Sequence, residues 1–414
     1  MDIRIYPPEE MLEASPALPL SKSQSNRLLI INAICGMPAT AAKTAECDDT
    51  KAMIAALESG ADTINIGGAG TAMRFLTAYF AAMPGRDVTI DGDDRMRQRP
   101  IGPLVDALRA CGAEITYTRT EGFPPLHISG RRLTGGTITV DSTVSSQFIS
   151  ALLMIAPIMD NGLTIHLDGQ QSSRPYIDMT LQMMADAGAE TVATDDTITV
   201  RKTSYRPCTR EVEADWSAAS YWFEIAAISS GSVSLKGLSR KSIQGDSRIS
   251  ELIKVTGLDH CWVSDNEIEL TPTPDAGARL IADLSDTPDL AQTLAVTCCL
   301  LSIPFRFTGL QSLKIKETDR LTALQSELGK LGFIVETGPD TLTWQGAAYN
   351  PGEEPDAIDT YGDHRMAMSF APAALFFPGL TIKNAGVTSK SYPEFWNELQ
   401  KAGFRIEEAW TDPE

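Results

Sequence analysis

Lys316-Glu-Thr-Asp-Arg320 sets two cations around two carboxylates, directly ahead of an amphipathic run marked by Leu321, Leu324 and Leu328. Acids suit a helix start, because its unpaired N–H groups make that end positive. Lys316 and Arg320 do not. An anionic ligand would resolve the conflict, whereas a surface cluster of exposed ion pairs, nearly neutral in energy, is the competing reading of these five residues alone.

The same conflict recurs along the chain. Lys22, Arg27, Arg74, Arg95, Arg97, Arg99, Arg174, Lys316, Arg320, Arg365 and Lys390 all fall at the starts of helical patterns or in the loops before them. Their neighbours are polar: Ser23-Gln-Ser-Asn-Arg27, Gly70-Thr-Ala-Met-Arg74, Ser145-Ser-Gln147, Asp215-Trp-Ser217, Asp286-Thr-Pro-Asp289 and Asp363-His-Arg365. Ser, Thr and Asp commonly cap helices. Capping leaves the accompanying cations unexplained, and their recurrence points to an anion gripped by helix N-termini and side chains together.

The elements behind these starts are six runs apolar nearly all round: Leu28–Cys35, Ala72–Met83, Phe148–Pro157, Ala218–Ile228, Leu290–Leu301 and Met366–Phe377. Helices of that kind must be buried. A second set of six, amphipathic, is expected to end at Gly60, Gly112, Gly188, Gly257, Gly332 and Gly403, each glycine taking the left-handed conformation before a strand-like run. The intervals of 52, 76, 69, 75 and 71 residues mark an internal repeat. Asp195-Asp196, Asp265-Asn266 and Gly338-Pro-Asp340 read as hairpin turns within it. Six units divide most simply as three plus three, with a boundary near Glu213.

Composition narrows the function classes. A chain of 414 residues, 43% hydrophobic and 21% charged, is expected to form two globular domains. The opening residues lack the pattern of a secretory signal, and no apolar stretch approaches the roughly 18 residues of a membrane span. Seven scattered cysteines fit free thiols in a reducing, cytoplasmic compartment, and four histidines leave little for a metal site. A formal charge of −19 argues against nucleic-acid and membrane-surface partners, and places the basic clusters in a small-anion cleft.

Taken in order, Ser21-Lys-Ser-Gln-Ser-Asn-Arg27, Ala69-Gly-Thr-Ala-Met-Arg74, Asp94-Arg-Met-Arg-Gln-Arg-Pro-Ile-Gly102, Val144-Ser-Ser-Gln-Phe148 and Arg174-Pro-Tyr-Ile-Asp178 match one family's motifs. Pro288-Asp289, Ile315-Lys-Glu-Thr-Asp-Arg-Leu321, Asp363-His-Arg-Met-Ala-Met368 and Ser389-Lys390 continue the series. From about residue 18 to 400 the chain resembles the 5-enolpyruvylshikimate-3-phosphate synthase family of enolpyruvyl transferases. The resemblance implies an inside-out α/β barrel of two domains, built from six βαβαββ-like repeats, three per domain, with buried helices inside and sheets outside. It places residues 1–20 with 214–414 in one domain and 21–213 in the other, with the active-site cleft between them and the strand near Ile3–Ile5 joining the C-terminal half.

The implied reaction moves the enolpyruvyl group of phosphoenolpyruvate to the 5-hydroxyl of shikimate 3-phosphate, without metal or cofactor, in a monomer. Carried over by position, Lys22, Ser23, Arg27, Ser145, Ser146, Gln147, Ser173, Tyr176, Asp289 and Lys316 resemble ligands of shikimate 3-phosphate. Lys22, Gly70, Thr71, Arg95, Gln147, Arg320, Arg365 and Lys390 resemble ligands of phosphoenolpyruvate. Asp289 and Glu317 resemble the family's pair of proton-transferring acids, with Lys22 sharing proton duty and His364 either structural or catalytic. Several positions depart from the usual pattern: Leu20, Gly68, Trp216, Ser312 and Phe75, the last expected to tilt the helix bearing Gly70 and Thr71. The sister family acting on UDP-N-acetylglucosamine is the nearest alternative, although its loop cysteine is absent from Asp91–Pro100. A catalytically silent anion-binding homologue is the other.

Overall fold

The computed structural model describes residues 1–141, 145–169, 173–229, 231–350 and 355–409. The chain divides into two compact units, one of Leu20–Val212 and one of Met1–Pro19 with Glu213–Glu414, here called the inserted and the split unit. Val144, part of one motif, lies outside the described residues.

The helices of the inserted unit are α1 (Lys22–Ile34), α2 (Asp48–Glu58), α3 (Gly70–Ala81), α4 (Gly102–Ala110), α5 (Ser146–Ile155) and α6 (Arg174–Asp186). Those of the split unit are α7 (Trp216–Ser229), α8 (Ile249–Leu252), α9 (Ala291–Leu300), α10 (Arg320–Lys330), α11 (His364–Phe370) and α12 (Phe395–Lys401). The uniformly apolar runs are buried helices: every residue of α9 and of α11 is buried, as is nearly all of α5 and α7.

One sheet pattern repeats, and the buried helices explain it. In the inserted unit Thr63–Asn65 runs parallel to Asp87–Asp91, which pairs antiparallel with Leu126–Ser129, itself paired antiparallel with Glu114–Tyr117. Gly136–Asp141, Leu163–Asp168, Thr197–Val200 and Thr191–Ala193 repeat that order and polarity. Parallel neighbours need a long crossover. Here α3 and α5 supply it; α3 packs against Asp87–Asp91 and Leu126–Ser129, α4 packs against Gly136–Asp141, and in the latter strand buried side chains alternate with exposed ones.

The split unit holds two more such sheets. Glu13–Ala14 with Ser232–Lys236, Glu267–Pro272 and Leu258–Ser264 forms one, and Leu280–Asp283 with Phe305–Thr308, Leu342–Trp344 and Glu336–Thr337 forms the other. Its third sheet places Ile3–Tyr6 between Leu380–Ile382 and Arg405–Glu408, both antiparallel, with Ile358 bridging parallel to Ile382. The core beneath is rich in large rings, including Trp216, Trp222, Phe305, Phe307 and Phe370.

Two expectations are corrected. Gly112, Gly188, Gly257, Gly332 and Gly403 adopt positive φ after their helices, but Gly60 does not; α2 ends through an extended Ser59, and no strand of its own follows it among the described residues. The 52-residue interval after Gly60 is shorter than the others because a hairpin is missing there: Thr63 already begins the next sheet. The fourth amphipathic run is also no single helix, since α8 has four residues between 3-10 turns at Gly245–Arg248 and Ile253–Thr256.

Candidate functional site

Two polar clusters stand at the helix starts, one in each unit. In the inserted unit Ser21 caps α1, accepting from the backbone N–H of Gln24 at 3.4 Å, and Lys22 is the first helical residue. Its ammonium lies 3.0 Å from Asp49 Oδ2, so an acid in the first turn of α2 offsets the unfavourable cation.

Arg27 is nearly sealed, and among the described residues its acceptors are neutral. Its Nε donates to Thr180 Oγ1 at 2.7 Å, Nη1 to the Ser23 carbonyl at 2.8 Å, and Nη2 to Ser150 Oγ at 3.2 Å and the Tyr176 carbonyl at 3.1 Å. The guanidinium also lies over the rings of Phe75, at 5.3 Å, and Tyr176, at 5.9 Å. Burial pulls it down to about 10 from the usual arginine range. Arg27 thereby braces α1 against α5 and α6, bringing Ser23, Ser146 and Tyr176 to neighbouring helix starts.

Ser145 caps α5 through the N–H of Gln147, and Gln147 Nε2 donates to Thr71 Oγ1 at 3.3 Å, joining the starts of α5 and α3. At Gly70 an added Cβ would lie 2.6 Å from Arg99 Nη1. Arg74 braces the same turn by donating to the carbonyls of Gly70 and Pro100 at 3.0 and 3.2 Å. Phe75 leaves α3 unbroken over Gly70–Ala81; unlike proline it keeps its N–H, and its ring supports Arg27. Ser173 opens α6 in the left-handed conformation at φ 59°, a strain most side chains avoid. Arg95 is exposed in the loop after Asp87–Asp91, while Arg99 is buried against Gly70.

In the split unit the cations and acids interlock. Arg320, the first residue of α10 and 1% exposed, donates to three carboxylates: Nη1 to Asp289 Oδ1 at 2.8 Å, Nη2 to Glu317 Oε2 at 3.0 Å, and Nε to Asp363 Oδ2 at 2.7 Å. Asp289, in the 3-10 turn Pro288–Leu290 that leads into α9, also receives Arg365 Nη2 at 2.9 Å, with Lys316 Nζ 3.9 Å away. Asp363 caps α11 through the Arg365 N–H at 2.9 Å, and His364 is buried beside it. Lys390 Nζ donates to the Gly362 carbonyl at 2.9 Å, tying down the turn before Asp363.

Electrostatics follow from this packing. Burial by itself would raise the Asp289 carboxyl, but Arg365, Lys316 and Arg320 outweigh it and hold the group far below the carboxylate range. Burial likewise opposes the charge on Arg320, yet Asp363, Glu317 and Asp289 raise its pKa above the usual arginine range. Asp289 is therefore a fixed anion ringed by cations.

Sequence reading singled out Lys22, Arg27, Gln147, Asp289, Glu317, Arg320 and Arg365, and each sits in one of these clusters. It missed Asp49 and Asp246, and gave Arg99 and Ser217 only as members of the helix-start clusters, with no site role. Asp49 reads as an ordinary acid of a helix start, and its pairing with Lys22 spans 27 residues. Trp216, at a position expected to be small, packs its ring 6.2 Å from both Phe223 and Trp262.

Residues 57–399 match the family model for EPSP synthase (3-phosphoshikimate 1-carboxyvinyltransferase). The chain belongs to the EPSP synthase family. A relative from Bacteroides fragilis (strain YCH46), named 3-phosphoshikimate 1-carboxyvinyltransferase, is 52% identical over 398 residues, covering 95% of this chain and 96% of its own. One of the same name from Shewanella pealeana is 37% identical over 415 residues, covering 92% of this chain and 95% of its own. The fold is that of EPSP synthase from Acinetobacter baumannii: one structure gives a TM-score of 0.74 at 21% identity, covering 98% of this chain and all (100%) of that one. No helix among the described residues is long and apolar enough to cross a membrane.

Proposed function

We infer that this chain is a 3-phosphoshikimate 1-carboxyvinyltransferase, moving the enolpyruvyl group of phosphoenolpyruvate onto the 5-hydroxyl of shikimate 3-phosphate with release of phosphate. The observation that carries the mechanism is the seating of Asp289 between Arg320, Arg365 and Lys316, with Glu317 on the other terminal nitrogen of Arg320. The hydroxyl oxygen bonds to C2 of phosphoenolpyruvate as a proton is added at C3, giving a tetrahedral intermediate. A proton then leaves C3, the double bond re-forms and the C2–O–phosphate bond breaks. Oxidation state does not change overall, so the reaction calls for no redox cofactor.

Asp289 in its resting state is too weak a base to take the hydroxyl proton well. An anionic substrate drawing on Arg365 and Lys316 loosens their hold and raises its basicity, so binding and activation are linked. Glu317, half-buried and held by one arginine nitrogen, is assigned the proton at C3, and Lys22 assists. Phosphoenolpyruvate is assigned to Lys22, Gly70, Thr71, Arg95, Gln147, Arg320, Arg365 and Lys390. Shikimate 3-phosphate is assigned to Lys22, Ser23, Ser145, Ser146, Gln147, Ser173, Tyr176, Asp289 and Lys316, with Arg27 as brace and field source.

In this proposal the enzyme works as a cytoplasmic monomer; seven free cysteines support a reducing compartment. Phosphate released only when both substrates are present is the expected result. Turnover with UDP-N-acetylglucosamine instead, or binding without phosphate release, would overturn the assignment.

A further inference from the structure

Ser217, in the first turn of α7, accepts from Arg365 Nη2 at 3.3 Å, and the same hydroxyl donates to Asp246 Oδ2. Asp246 belongs to the turn Gly245–Arg248 and is 3% exposed. Its other oxygen, Oδ1, is buried with no hydrogen-bond partner among the described residues. The turn is clamped to α7 by Gln244, whose Oε1 accepts from the Trp216 N–H at 3.1 Å and whose Nε2 donates to the Ala214 carbonyl at 2.8 Å. The contact between Asp246 and Ser217 is therefore built rather than incidental.

A buried carboxyl with one oxygen unpartnered is costly as an anion. The charged groups that face it are Asp289 from the Pro288 turn, Arg365 from α11 and Asp215 from the start of α7. Arg365 favours the anion, whereas burial, Asp289 and Asp215 oppose it and push the carboxyl up to about 7. In the protonated state Asp246 donates to Ser217, freeing the serine hydrogen to donate elsewhere. In the ionised state the serine hydrogen is taken by Asp246, and a negative charge is added near Arg365.

Resting on the reaction assigned above, we propose that Asp246 is a positioning residue for phosphoenolpyruvate: acting through Ser217, it sets the donor direction and the net charge that Arg365 presents to the anion. Phosphoenolpyruvate binds more tightly while Asp246 is protonated, and loses affinity severalfold as pH rises through neutrality. Asp246→Asn, whose amide donates to Ser217 permanently, holds the tight form at every pH.

The test compares wild type, Asp246→Asn, Asp246→Ala and Ser217→Ala by KM for phosphoenolpyruvate and by calorimetric binding, at about pH 6 and about pH 8.5. The substrate phosphate titrates too, but equally for all four proteins, so only ratios between them are used. Wild type should weaken severalfold on going to the higher pH, relative to Asp246→Asn. Ser217→Ala should show a smaller step, and Asp246→Ala should raise KM at both pH values more than kcat falls. If Asp246→Asn keeps the wild-type pH step, or Ser217→Ala leaves its size unchanged, the proposal is wrong. If wild type releases no phosphate, the reaction assignment fails by itself, and the calorimetric arm still decides the role of Asp246.

Discussion

Arg27 in the inserted unit and Arg320 in the split unit are both almost sealed from solvent, at 2% and 1% exposure, and both sit near helix starts. Their surroundings differ in kind. Arg27 is held by two hydroxyls, two carbonyls and two aromatic faces, so its charge is solvated but not neutralised. Arg320 faces three carboxylates, and its charge is spent locally. Under the proposed reaction the first arrangement would keep a positive potential for an arriving anion, and the second would hold acids and cations at the close range that proton transfer requires.

Removing Asp289 should break this contrast most severely. Asp289→Ala is expected to lower kcat by roughly 10²–10⁴-fold, the usual worth of a positioned acid or base. Shikimate 3-phosphate binding, followed by calorimetry, should remain largely intact, because losing an anion from a cation cluster does not repel a phosphate. Full activity in that variant would take Asp289 out of the mechanism.

The two arginines come next. Arg320→Leu removes a shared cation from three buried or half-buried carboxylates, leaving Asp289 with Arg365 and Lys316, and should cost about 3–5 kcal/mol of stability, read as a lower midpoint in urea. Arg27→Leu strands only neutral acceptors and should cost less, about 1–3 kcal/mol for the hydrogen bonds lost, while raising KM for shikimate 3-phosphate. Equal stability losses would erase the distinction.

Acid provides a gentler probe. Asp289 has a folded pKa below its unfolded value, so its contribution to stability is complete above roughly pH 4 and is lost as pH falls further. Asp289→Asn should therefore flatten the acid limb of the stability curve, whereas Arg27→Leu should leave it unchanged. The smallest expected effect is that of Gly70→Ala: its methyl meets the far end of the Arg99 side chain, which must shift, so KM for phosphoenolpyruvate rises modestly while the thermal midpoint hardly moves.

Much of this contrast is legible in the sequence. Lys316, Glu317 and Arg320 announce themselves because their charges disagree with the local helix polarity. Uniform apolarity marks α5, α7, α9 and α11 as buried. The irregular interval after Gly60 also held the information that one hairpin is absent, though a count of glycines alone hides it. Long-range pairing was not legible. Arg27 meets Ser150 and Thr180 across 123 and 153 residues, and nothing local distinguishes those two from any buried hydroxyl. Asp246 escaped notice because its turn lies just ahead of the amphipathic run that starts at Ile249, and its importance depends on Ser217, 29 residues earlier.

The strand Ile3–Tyr6 has a consequence for biosynthesis. Its partners Leu380–Ile382 and Arg405–Glu408 emerge from the ribosome long after it does, and after everything in Leu20–Val212. The nascent chain should therefore complete the inserted unit first and carry an unmatched strand until those two partners arrive. A protease pulse on stalled ribosomes would then find the middle of the early chain resistant and its leading end still open to cleavage.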